Sequence, residues 1–228
     1  QDISSAAAAN PPGQVKYAPV RDLSQLPMDG GWTYGEVLDK AAAGDFRANM
    51  LAGEYWMGLY YLNRGDLPLA CLEHMQHFFR DAATASGHPA PKLMMTDPYG
   101  IFGIFKAQPM QPEHAEWLAA CRKLAEKGDM DAVTALYTVT DLPEAELRRY
   151  LAPLEKKASS GDQDALAQLA FIKVDWLKEN PANVIETLKQ YRKNAKPVLL
   201  ARIGELALAL DLSLIHISEP TRPEPISY

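Results

Sequence analysis

Cysteine is nearly missing from this chain of 228 residues: only Cys71 and Cys121 occur. Without a C-x-x-C pair they exclude the usual zinc-ribbon and redox-motif spacings. In an oxidising compartment they pair only if their Cα atoms fall within about 7 Å; otherwise they are two small hydrophobes. An excess of basic charge is also missing. The formal net charge is −6 at pH 7, which argues against a nucleic-acid binder. The basic residues at Arg148-Arg149, Lys156-Lys157 and 189–196 read as solvated helix faces. No apolar run is long enough to span a bilayer, because Arg202 and Glu205 interrupt Leu199 to Leu210. No Gly-rich phosphate loop and no G-x-S-x-G elbow are present, and no cofactor motif is found. No segment alternates in the two-residue period of a strand.

Three copies of one short pattern, A-x-x-G-D-x-x-A, are present instead. They run from Ala41 through Gly44-Asp45 to Ala48, from Ala125 through Gly128-Asp129 to Ala132, and from Ala158 through Gly161-Asp162 to Ala165. A glycine closing an amphipathic stretch takes the left-handed conformation that ends a helix. The aspartate after it caps the next helix, its carboxylate accepting from free backbone N–H groups. The small alanines let two helices approach. Each copy therefore predicts a helix–turn–helix corner. The acidic pairs Asp129/Asp131 and Asp162/Asp164 fall at helix starts, where they complement the dipole.

About nine helices are expected. Thr33-x-x-Glu36 is a capping box opening the first, which runs to about Ala43. Phe46 to Asn63 and Leu67 to about Ala85 follow. Residues 86–111 hold Pro89, Pro91, Pro98 and Pro109 with three glycines, too many breakers for a long helix. Their apolar residues mark an ordered insertion, mostly irregular, with at most one short helix around Tyr99 to Phe105. Helices resume at Pro112. Further ones are expected over Glu113 to Lys127, Met130 to Tyr137, from Pro143 with a kink at Pro153, Gln163 to Glu179, Ala182 to Asn194, and from Pro197.

Gly128 and Gly161 are 33 residues apart, and Gly44 and Gly128 are 84 apart, room for two units plus the insertion. A two-helix repeat of about 34 residues has the tetratricopeptide-like period. The extended pattern, with Leu136 and Leu169 following the last two copies, resembles the Sel-one-like branch of that superfamily over residues 34–85 and 112–175. Ala82-Ala83 through Gly87-His88 looks like a degraded fourth start. The resemblance implies an all-α fold, an α-solenoid of αα-hairpins. It implies a non-enzymatic scaffold that binds a protein or peptide partner on its concave face. Gly44, Asp45, Gly128, Asp129, Gly161 and Asp162 are its turn residues.

Residues 1–30 read as a disordered leader and 31–211 as the repeat domain carrying the insertion. The start at Gln1 suits an exported protein, periplasmic or secreted, with a cytoplasmic location as the alternative. Leu212 to Tyr228 resembles the translation of a transposase-type sequencing adapter, in frame from Leu212 through Arg222. It is expected to be non-native and to pack poorly.

Two candidate sites follow. Met94, Met95, Tyr99, Phe102 and Phe105 supply adaptable and aromatic anchors for a partner, or else pack the insertion. Glu73-His74-x-x-His77 puts two imidazoles on one helix face. That is the alternative function, a metal-binding protein or hydrolase with a site between the insertion and the helices. It needs a third ligand from His88, Asp97 or His114.

Overall fold

The computed structural model describes residues 22–62, 69–95 and 113–218, with side chains at 60–62, 69–72, 209 and 211–218 left undescribed. The described residues form ten α-helices and no strand. They are α1 (Tyr34–Ala42), α2 (Phe46–Leu62), α3 (Leu69–Ala85), α4 (Pro89–Met95), α5 (His114–Ala125), α6 (Met130–Val139), α7 (Glu144–Ser159), α8 (Gln163–Asp175), α9 (Pro181–Leu188) and α10 (Pro197–Ser218). The expected all-α fold is the observed one.

Every A-x-x-G-D-x-x-A copy builds the same corner. Gly44, Gly128 and Gly161 have φ of 83°, 83° and 89°. Their N–H groups donate to Ala41, Ala125 and Ala158. The next N–H groups, those of Asp45, Asp129 and Asp162, donate to Lys40, Leu124 and Lys157. This two-bond closure satisfies carbonyls that a helix end leaves open. Each aspartate then accepts from the N–H of Ala48, Ala132 or Ala165, at 2.8, 2.9 and 3.1 Å. All six pattern alanines are buried. One local rule thus stops a helix, starts the next, and sets both close together.

The corners make the hairpins α1–α2, α5–α6 and α7–α8, and α9–α10 forms a fourth without the Gly-Asp pair. A 3-10 helix, Lys189–Asn194, carries the chain from α9 to the proline that opens α10. Lys178 takes the left-handed conformation after α8, with φ 57°. Asn180 caps α9 by accepting from Ala182 N–H at 2.9 Å.

The core is a chain of clusters. Met28, Tyr34, Val37, Leu51 and Ala52 form the first. The central cluster runs from Met50 and Phe79 through Leu93, Cys121 and Leu136 to Leu151 and Ile172. The last holds Ala167, Ala170, Val184, Leu188, Leu199 and Leu206. Helices α2 and α8 each face two clusters, so apolar residues cover much of their circumference. Gly53 of α2 lets α3 approach: a Cβ there would lie 2.6 Å from the Phe79 ring.

The insertion corrects one expectation. Residues 89–95 are helical and Ala90, Leu93 and Met94 are buried, so this part of 86–111 is a short packed helix. Pro89 and Pro91 do not prevent it, because N–H groups of a helix's first turn have no intrahelical acceptor to lose. Gly87, the degraded corner, does not adopt positive φ. His88 stands where the other corners have aspartate, and its Nδ1 accepts from Ala90 N–H at 3.2 Å. The expected helix around Tyr99 to Phe105 lies outside the described residues. At the other end α10 continues through Leu212 to Ser218, so the adapter-like stretch begins as helix.

Candidate functional site

The starts of α2, α4 and α6 are tied residue to residue, and so are those of α8 and α10, and together they form a polar ridge. Arg47, two positions past the first corner aspartate, pairs with Asp131, two past the second. Phe46 lies against His88, ring centroids 5.1 Å apart. His88 Nε2 is 3.1 Å from Asp129 Oδ2, while Asp129 Oδ1 caps α6. Lys196 Nζ reaches Asp164 Oδ2 at 3.1 Å, and the Gln163 amide donates to Asn194 O at 3.0 Å. Each of these links falls within three residues of a helix start.

Beside the ridge is a cleft of about 180 Å³. Arg47, Gly128, Lys157, Asp162, Asp164 and Gln168 line it, with Asp29 and Gly30 at one side. Its walls therefore come from three hairpins and from the loop before α1. That loop is a tight turn. Pro27 and Thr33 bridge, Met28 N–H donates to Trp32 O at 2.8 Å, and Gly30 and Gly31 have φ of 88° and 82°. Asp29 Oδ1 at its tip lies 3.7 Å from an Arg202 guanidinium nitrogen on α10. Arg202 also binds Glu205 at 2.6 Å and sits 4.8 Å over the Phe171 ring. Arg202 Nε and Asp164 Oδ1 are buried with no hydrogen-bond partner.

Burial dominates the electrostatics here. It pushes the Glu54 carboxyl up to about 8 against the pull of Arg47, with Asp131 and Asp29 adding to the rise. Asp131 is raised by burial too, again against Arg47. Burial also works on Asp129, but bonds from His88 and Ala132 outweigh it and hold this carboxyl below its usual range. Burial opposes the charge on Arg47, but the surrounding acidic groups Glu54, Asp131, Asp29 and Asp129 outweigh it and raise its pKa. The group holds charge in fixed places.

The expected sites fare differently. Met94 is a core residue at 2% exposure and is unable to serve on a binding lip; Met95 is exposed. Tyr99, Phe102 and Phe105 lie outside the described residues. His74 stacks on Trp56 at 5.3 Å, and His77 Nε2 lies 3.4 Å from Asp81. Among the described residues no group of three or more His, Cys, Asp or Glu side chains is placed to hold a metal ion. His88 is committed to Asp129, and His114 is buried with Nδ1 unpartnered. Cys121 is a free buried thiol, pushed up to about 12 mainly by burial. No described helix is long and apolar enough to cross a membrane. The turn residues lie at the three corners as expected. The cleft is not legible in the sequence, because its lining residues run from Asp29 to Gln168. The available signal was the charge repeated two places after a corner aspartate, in Arg47, Asp131 and Asp164. No protein-family model matches this chain, and no curated protein or solved structure matches it either.

Proposed function

We propose that this chain is a non-enzymatic helical-repeat scaffold, tetratricopeptide-like in kind, that binds a protein or peptide partner. The cleft carries the reading: one surface gathers Arg47 from the α1–α2 hairpin, Gly128 from α5–α6, and Lys157, Asp164 and Gln168 from α7–α8. A partner lying there contacts several units at once, which is how stacked hairpins make extended recognition surfaces. Charged groups held in place at the cleft give specificity more than bulk affinity. A periplasmic or secreted location suits the same reading.

Selection from a random peptide library tests it. Enriched peptides are expected to lose affinity for Lys157→Glu and Gln168→Ala, with melting temperature unchanged. Enriched peptides indifferent to both changes, or no enrichment at all, would contradict the reading.

A further inference from the structure

Helix α10 buries one side and leaves an uncharged side exposed. Leu199 and Leu206 enter the last core cluster, where α10 packs on α8 and α9. About half a turn round the helix from them, at roughly 100° per residue, stand Leu200, Ala201, Gly204, Ala207 and Leu208. Leu200 is 46% exposed and Leu208 61%. Gly204 and Ala207 are exposed as well, and Ala201 is half-buried. A surface helix ordinarily carries charge on the side away from the core. Between Leu200 and Leu208 the only charged residues are Arg202 and Glu205. Arg202 lies on the core side, and Glu205 at the edge is bound to it at 2.6 Å.

The exposed face reads the same in both directions. Leucine, alanine, glycine, alanine and leucine stand at −4, −3, 0, +3 and +4 from Gly204. Spacings of three and four keep all five on one stripe. A second copy laid antiparallel, Gly204 against Gly204, sets each Leu200 on Leu208 of the other copy and each Ala201 on Ala207. A two-fold contact requires such a self-complementary surface. The glycine has no reason within the chain. Its φ is not positive, and a Cβ there would meet nothing within 4 Å. Inside a helix, glycine is weaker than alanine. A second helix crossing at this point supplies the reason, because small residues at a crossing set how closely two helix axes approach.

We propose that the chain self-associates through α10 as an antiparallel two-fold dimer centred on Gly204. The surface is separate from the cleft, whose lining includes none of residues 200–208. A strip of nine residues spans about 13 Å of helix. That is too little to bury the roughly 1,200 Å² of a standard interface, so the dimer is weak and depends on concentration.

Sedimentation equilibrium of the full chain, from about 10 μM to about 500 μM, tests this. A monomer–dimer equilibrium is expected, with nothing larger, because a closed two-fold contact stops at two copies. Leu208→Glu changes an exposed side chain and is expected to weaken the dimer at least about tenfold, by burying a charge without a partner. Gly204→Leu adds apolar surface yet fills the crossing, and is expected to weaken the dimer too. A merely adhesive patch would associate more strongly after that change. Circular dichroism is expected to show both variants folded, since neither position packs in the core. A monomer at every concentration overturns the proposal. So does association that survives both substitutions, that strengthens with Gly204→Leu, or that continues past two copies.

Discussion

Gly128 packs on Pro153 with no room for a side chain: a Cβ there would lie 2.7 Å from the proline Cβ. The corner between α5 and α6 thus rests on the middle of α7. A proline inside α7 has no N–H to satisfy and presents a compact ring to that corner. Gly44 and Gly161 have the same backbone conformation but open space where a Cβ would stand. Alanine at Gly44 or Gly161 is expected to cost about 1–2 kcal/mol, the strain of a left-handed residue. Gly128→Ala adds the overlap with Pro153 and should cost about 1–3 kcal/mol more. Urea unfolding of the three variants measures the difference; equal losses would remove the close packing from the account.

Lys178 offers the opposite case. It is a left-handed residue without glycine's freedom, exposed at the end of α8. Lys178→Gly relieves about 1–2 kcal/mol of strain but loosens the unfolded chain by about 0.4–1 kcal/mol. The net expectation is a gain of roughly 0.5 kcal/mol, read as a higher urea midpoint. A lower midpoint would mean that the bond from Lys178 Nζ to Asp175 O outweighs the backbone strain.

Asp129 has two roles where Asp45 has one. Both cap a helix, but Asp129 also holds His88. Asp45→Ala should cost about 1 kcal/mol, the usual loss of a cap. Asp129→Ala should cost about 1 kcal/mol beyond that, the net worth of a further hydrogen bond. In a His88→Ala background the excess should vanish, which a double-mutant cycle reads directly.

Glu54 sets a pH dependence. Its folded pKa is raised above the unfolded value, so the folded state holds the proton more tightly. That contribution to stability is complete below the unfolded pKa. It declines as pH rises through about 8. Glu54→Gln is expected to remove the decline between about pH 5 and 8. Asp129, shifted down, acts the other way at lower pH and remains in the variant. Unfolding curves across pH test this; a variant that loses stability with pH as steeply as the native chain assigns the effect elsewhere.

The corners were legible from sequence because their cause is local. A left-handed glycine, a capping aspartate and two small residues act within eight positions, and Thr33 with Glu36 does the same for α1. Helix α4 was not legible. Its two prolines read as breakers, and only their place in the first turn makes them harmless. Met94 is core rather than a partner contact because α3, α5 and α6 surround α4, which the sequence does not show. The cleft was hidden for the same reason. Arg47 and Asp131 are 84 residues apart, and Asp29 and Arg202 are further apart still.

Chemical-shift mapping tests the central claim most directly, that the stacked corners form the binding surface. An isotope-labelled full chain is titrated with a library-selected peptide. The account predicts that shifts gather at the amides of Gly30, Arg47, Gly128, Lys157, Asp162 and Gln168, residues brought together from the first loop and three hairpins. A second groove, of about 300 Å³, is lined by α7, α8, α9 and Tyr191; shifts confined to it, at Val184, Leu188 and Tyr191, would contradict the account.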